Sequence, residues 1–166
     1  MLKMYSLQSV LTVYNTIIQP HYDYCASILH ASDKNMIFAL QKLQNKGMRI
    51  ILKCNRLTPI SLMLNTLQWM SVEIRIKYLT LTFLYKMLNN LLPSYFSQFL
   101  IYNNDIHTHN IRNRNNLYIS TTNFKFSMKF LFFKGLNEFN SLPNDIKNSS
   151  SINIFKNKLS THLNNS

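Results

Sequence analysis

A chain of 166 residues, 46% hydrophobic and 13% aromatic, has the length of one domain or two small ones. At this size folding buries roughly two-thirds of the surface the unfolded chain exposes, which excludes disorder of the whole. With 18 Lys and Arg against 6 Asp and Glu the formal net charge is +12, so nucleic acid is the first partner the composition points to and an anionic membrane face the second. The same excess also follows from AT-rich coding, since AAA and AAT codons make Lys and Asn. Only 2 Gly and 4 Pro favour helices over a turn-rich β architecture. Cys25 and Cys54 lie in unrelated contexts and suit a reducing compartment. The opening residues are amphipathic, unlike a signal peptide, and no apolar run is long enough to cross a bilayer. A nuclear or cytoplasmic location, without secretion or membrane attachment, is therefore expected.

Along the chain, Leu7, Val10, Leu11, Tyr14, Ile17 and Ile18 recur at helical spacing, and Pro20 is expected to end that helix. Residues 21–30 read as an apolar and aromatic connector. Ser32 and Asp33 are N-cap candidates for a second helix with an apolar line of Met36, Leu40, Leu43, Ile50 and Ile51. Gly47 marks a place of close packing, and the helix should end near residues 53–55. Thr58-Pro59 starts a short third helix carrying Ile60, Met63, Leu64 and Leu67, with the proline in the first helical position. Ser71 caps a fourth, with Glu73 in its favourable first turn. From residue 72 to 88 this helix is apolar nearly all round, as a central helix is. Asn89, Asn90 and Pro93 close it, and residues 93–100 add a short helical turn.

In residues 101–123 the hydrophobic period is lost and Asn, His, Arg and Thr dominate, as in a loop, with an extended piece at 117–120. Helix returns over 127–139, with Phe130, Leu131, Phe132 and Phe133 expected in the core. After a turn at 141–144, Ser151 caps a last helix whose Ile152, Phe155, Leu159 and Leu163 face inward. The reading is all-α, with about six helices around the central one and an irregular basic loop. Three regions follow: 1–100 helical, 101–126 loop-rich, and 127–166 helical and packed on the first.

Enzymatic chemistry has little to stand on. Gly47 and Gly135 make no phosphate loop. The six acids Asp23, Asp33, Glu73, Asp105, Glu138 and Asp145 are scattered, whereas a two-metal site needs carboxylates that converge. His107 and His109 form a pair without the further ligands zinc requires, and read as polar loop residues. No catalytic residue, metal ligand or cofactor is assigned.

The strongest pattern is cationic. Lys42, Lys46, Arg49 and Lys53 recur every three to four residues on one face of the second helix, opposite the Leu40, Leu43 and Ile50 stripe, with Arg56 just beyond. Such a row can follow a phosphate backbone, each neutralised phosphate releasing a counterion. The plainer reading is a solvated face; against it, no acid interrupts the row or supplies a salt-bridge partner one turn away. A weaker cluster, Arg112 and Arg114 continuing to Lys125, Lys129 and Lys134, is interleaved with Tyr102, Tyr118, Phe124 and Phe126. Those aromatics either stack on unpaired bases or belong to the core.

The order of several short segments resembles a known family. Tyr14-Asn15 and Ile17-Ile18-Gln19-Pro20-His21-Tyr22-Asp23-Tyr24-Cys25 resemble the stretch after the palm in jockey-like non-LTR retrotransposon reverse transcriptases. Leu40-Gln41-Lys42-Leu43-Gln44-Asn45-Lys46 with Arg49-Ile50-Ile51 is similar to the next signature, and Thr58-Pro59 and Leu67-Gln68-Trp69-Met70-Ser71-Val72-Glu73 with Arg75 and Tyr78 continue it. Tyr85-Lys86-Met87-Leu88-Asn89, Pro93-Ser94-Tyr95, Asn110-Ile111-Arg112-Asn113, Phe139-Asn140-Ser141-Leu142-Pro143 with Ile146, and Phe155-Lys156-Asn157-Lys158-Leu159 complete the series. The resemblance covers nearly the whole chain. It departs from the family at Phe139, where Trp is usual, at Ile111, where Thr is usual, and at Gly47-Met48, where small residues are usual.

What the resemblance implies is the thumb end and the region beyond it, a non-catalytic part that contacts RNA or an RNA–DNA hybrid. The palm, with its magnesium-binding aspartates, is expected upstream of Met1 as a polymerase domain of the same element and a partner of this part. The candidates for backbone contact, taken from the charge pattern, are Lys42, Lys46, Arg49, Lys53, Arg56, Arg112 and Arg114. The alternatives are a structural buttress of the polymerase core and a translated pseudogene remnant without function.

Overall fold

The computed structural model describes residues 6–24, 26–30, 34–106, 116–119 and 131–164. Among them the fold is all-α, with one isolated antiparallel bridge between Tyr102 and Leu117. The chain forms two compact units, Met1–Ile76 and Lys77–Ser166, and the division falls inside one helix.

In the first unit, α1 (Leu7–Val13) is capped by Ser6, whose side chain accepts from the Ser9 N–H at 3.2 Å. Pro20 does not end this segment. A π-helical turn over Tyr14–Ile18 lets the Gln19 N–H reach back to the Tyr14 carbonyl, and α2 (Gln19–Asp23) carries Pro20 in its first turn. The wider turn moves carbonyls aside where a proline ring would otherwise clash. The expected connector over residues 21–30 is likewise largely helical, with α3 at Ala26–Leu29. Of the apolar line on the first segment only Tyr14 is buried, while Leu7, Ile17 and Ile18 are exposed.

Tyr14 explains Gly47. Its ring stacks on Trp69 with centroids 4.5 Å apart, and a Cβ on Gly47 would stand 2.7 Å from the ring edge. Burial, and next the neighbouring Tyr22 phenol, push the Tyr14 hydroxyl well above the usual tyrosine range, so it stays neutral.

The helix α4 (Lys34–Leu52) stops as expected at Lys53, which turns into the left-handed region. The N-cap expected at Ser32 and Asp33 lies outside the described residues. The buried face of α4 differs from the expected apolar line. Gln44, Asn45, Met48 and Ile51 are buried, whereas Met36, Leu43 and Ile50 are exposed. The amides are buried because they complete the start of α6 (Val72–Leu88). Gln41 Oε1 accepts from the Val72 N–H at 2.9 Å, and Gln44 Nε2 donates to the Met70 carbonyl at 3.0 Å. Gln41 Nε2 is held by Gln44 Oε1 and Asn45 Oδ1 at 2.8 and 2.9 Å. The first N–H groups of a helix have no partner within it, so Gln41 satisfies the Val72 N–H that would otherwise be orphaned, while Gln44 satisfies the Met70 carbonyl just before the helix. Replacing Gln41 by Leu is expected to lower stability by about 1–3 kcal/mol, the cost of a buried unsatisfied N–H. A urea midpoint unchanged from the parent chain would rule out that role.

Pro59 is the N-cap of α5 (Ile60–Leu67), one position earlier than expected, and Met63 is its buried residue. The start of α6 is also tied to α2, because Arg75 Nε and Nη2 meet both Asp23 carboxylate oxygens at 2.6 Å. A bidentate pair of this kind fixes direction as well as distance. Ser71 caps α6 as expected, accepting from the Ile74 N–H at 3.4 Å.

In the second unit, the remainder of α6 buries Thr80, Leu81, Thr82, Leu84, Tyr85 and Met87. Within this unit, burial on several sides fits the nearly all-round apolar pattern of the helix. Asn90 in the left-handed region ends its C-terminal turn, and a 3-10 turn follows at Ser94–Phe99. Where a loop is expected, one helical turn, α7 (Asn103–Ile106), precedes the bridge residue Leu117. A π-helical turn at Leu131–Gly135 leads into α8 (Leu136–Ser141), followed by α9 (Asn144–Lys147). Phe133, expected in the core, is 54% exposed. Its place in the wide turn before α8 sets it outside the buried face formed by Leu136 and Phe139. The last helix, α10 (Ile152–Asn164), buries Phe155, Leu159 and Leu163 as its spacing predicts, and Ser151 accepts from the Ile154 N–H at 3.3 Å. Phe155 stacks on Tyr85 at 4.1 Å, and the Tyr85 hydroxyl donates to the Ser149 carbonyl at 2.6 Å.

Candidate nucleic-acid interface

The residues of the cationic row are displayed by α4 and the turn after it. At roughly 100° per residue, Lys42, Lys46 and Arg49 lie within about 60° of one another around the helix. The buried Gln44, Met48 and Ile51 stand on the far side, so the row faces away from the packed face. Its true opposite is therefore this amide and methionine face, and Leu43 and Ile50 border the row as exposed neighbours.

The members are not equivalent. Lys42, Lys46, Lys53 and Arg56 are exposed, and among the described residues none of them stands in an ion pair. Lys53 is the first residue past α4, not a helical residue, and its left-handed backbone redirects the chain toward Arg56. Arg49 differs most from the expectation. It is half-buried, its Nη1 donates to the Asn45 carbonyl of its own helix at 3.4 Å, and its Nε is buried without a hydrogen-bond partner among the described residues. Part of its donor fork is thus turned inward, so Arg49 offers less to a phosphate than the exposed members of the row.

Lys42 has a feature unseen in the charge pattern alone. Its ammonium lies 4.4 Å over the ring of Phe38, which is 61% exposed. The spacing of one turn between an aromatic and a lysine was the available signal. Arg112 and Arg114, with the loop around them, lie outside the described residues.

Among the described residues, three carboxylates elsewhere are engaged with cations. Asp23 pairs with Arg75, Glu138 with Lys77 at 3.9 Å, and Asp145 with Lys158 at 3.6 Å. Among the described residues no three His, Cys, Asp or Glu side chains stand close enough to share a metal ion. Among them, too, no helix is long and apolar enough to cross a membrane. The positive surface of α4 can therefore act through long-range attraction and direct phosphate contact, with no acid paired to its lysines among the described residues. In comparison with known proteins, no family model, no curated protein and no solved structure matches the chain.

Proposed function

We propose that the chain is a non-catalytic C-terminal part of a retrotransposon RNA-directed DNA polymerase, and that α4 contacts the backbone of RNA or an RNA–DNA duplex. The observation that carries this reading is the row of exposed lysines, Lys42, Lys46 and Lys53, free of ion pairs among the described residues. The jockey-like order of the sequence segments supports the family part. An intracellular location, nuclear or cytoplasmic, and a catalytic domain on the same polypeptide belong to the same proposal, with any magnesium held by that domain.

The test is salt dependence. Lys46→Glu with Lys53→Glu is expected to weaken binding to an RNA–DNA duplex and flatten the plot of log affinity against log salt by about two units, near one per phosphate contact. These two positions are chosen over Arg49 because their side chains are exposed and reversal leaves the packed face alone. A slope equal to that of the parent chain would sink the assignment.

One observation favours a structural role as a second reading. Met36, Leu43 and Ile50, spaced one heptad apart, are 51%, 52% and 73% exposed along α4. A stripe of this kind is a packing surface for another helix, and on this reading it packs against the upstream polymerase domain. The isolated chain then self-associates, and Leu43→Gln with Ile50→Gln restores a monomer in analytical ultracentrifugation. A monomeric parent chain would speak against it.

A further inference from the structure

The second unit contains a cleft of about 410 Å³, within the size range of about 300–1,000 Å³ of small-ligand sites. It is built from stretches far apart in the sequence. Leu88 and the ring of Tyr102 supply its accessible apolar lining, backed from within the core by the buried Leu117 and Phe139. Among the described residues the rest of the lining is dominated by asparagine amides, with Lys147 as its one charged residue and no carboxylate.

Its walls are held in place. Asn140 clamps the Leu117 backbone from both sides, accepting from its N–H at 3.0 Å and donating to its carbonyl at 2.9 Å. The Tyr118 N–H donates to the Ile101 carbonyl at 2.7 Å, and the Asn103 N–H to the Asn116 carbonyl at 3.0 Å, which fixes Tyr102 at the cleft. Other lining groups are left available. Among the described residues, the side-chain amides of Asn116, Asn144 and Asn148 make no hydrogen bond. Lys147 Nζ uses one donor on the Asn140 carbonyl at 3.1 Å and keeps two.

This combination selects a class of ligand. An amide both donates and accepts, so several amides together match a planar group whose edge alternates donors and acceptors. Apolar base surface and a tyrosine ring match the faces of such a group. A lysine without a facing carboxylate favours an anion and disfavours a cation. A nucleobase attached to a phosphate has all three properties. We propose that the cleft holds one unpaired nucleotide of a single strand, the base against Leu88 and the Tyr102 ring, its edge on Asn144 and Asn148, its phosphate toward Lys147. This rests on the reading of the chain as a nucleic-acid-binding part, but on residues of the other unit and on a different chemistry from the α4 row.

The test uses the full chain and three probes: single-stranded oligoadenylate, the same backbone lacking bases, and an RNA–DNA duplex. The parent chain is expected to bind oligoadenylate about ten-fold more tightly than the abasic strand. Asn144→Ala with Asn148→Ala, and separately Tyr102→Ala, should remove most of that ratio while leaving the duplex salt slope intact. Both asparagines are exposed, and an unchanged melting curve confirms that each variant folds. Lys46→Glu with Lys53→Glu should do the reverse, flattening the duplex slope and keeping the ratio. If the parent chain binds base-bearing and abasic strands alike, as a cleft made for a peptide backbone would, the proposal is overturned. It is overturned too if the cleft variants keep the full ratio. A ratio that depends on Asn144 and Asn148 beside a duplex slope indifferent to Lys46 and Lys53 upholds the cleft and removes the α4 reading.

Discussion

Phe155→Ala is expected to lower the stability of the second unit by about 3–5 kcal/mol, the range for truncating a fully buried aromatic residue. Phe155 is 0% exposed and lies between two other rings, Tyr85 at 4.1 Å and Phe139 at 6.4 Å. Removing it leaves a cavity that α6, α8 and α10 border together, and the Tyr85 ring loses the partner that holds its hydroxyl on the Ser149 carbonyl. Only partial collapse is available, because helix backbones cannot move independently of their own hydrogen bonds. A fluorescence or circular-dichroism urea titration reads the change directly. Phe133→Ala is the control: Phe133 is 54% exposed, and substitutions at such surface positions usually stay within about 0.5 kcal/mol. Equal effects at the two positions would contradict the packing described for α10.

Gly47→Val is expected to destabilise the first unit by about 2–3 kcal/mol, as overpacking of a filled site does. A Cβ alone would come to 2.7 Å from Tyr14 Cε2, and the two γ-methyls of valine add to the crowding. Tyr14 is 4% exposed and its ring lies flat on Trp69, so it cannot swing away without breaking the stack. Opposing this is helix propensity, in which glycine is the worse residue by a few tenths of a kcal/mol against valine. The clash outweighs that gain. Tyr14→Ala in the same chain should relieve most of the penalty, so a double-mutant cycle isolates the contact. An additive double mutant would show that Gly47 is present for another reason.

These two packing sites bear on the proposed function unequally. Gly47 sits on α4 between Lys46 and Met48, so the stack of Tyr14 and Trp69 fixes the side of the helix from which the lysines project. The Phe155 cluster supports the unit that contains the asparagine cleft. A loss of duplex binding in Gly47→Val at full folding would trace the interface to the orientation of α4.

The resemblance drawn from the segment order bears on the same residues. Several positions within those segments have structural work in the fold: Asp23 and Arg75 pair, Gln41 and Gln44 complete the start of α6, Trp69 stacks on Tyr14, and Asn140 clamps Leu117. Phe139 is buried where Trp would be usual, and its ring lies 6.4 Å from Phe155. The lysines of the second segment differ in kind: Lys42 and Lys46 are exposed, and among the described residues the ring of Phe38 under Lys42 is the contact they make.

The helical class, and those features that depend on neighbours along the chain, can be read from the residues alone. The stop of α4 before Lys53, the caps at Ser71 and Ser151, and the buried line of Phe155, Leu159 and Leu163 were all legible, because caps and helical periodicity act over a few residues. The cationic row was legible for the same reason. Which side of α4 is buried was settled by packing. Both of its flanks carry apolar residues, and the choice fell to the one whose glutamines meet backbone groups about thirty residues further on. Packing also let Pro20 be passed through a widened turn, turned Arg49 back on its own helix, and left Phe133 outside the core. It assembled the asparagine cleft, whose lining residues no local pattern connects. For the buried face and the cleft the deciding partner is distant in sequence, and periodicity along the chain carries no information about which distant group will arrive.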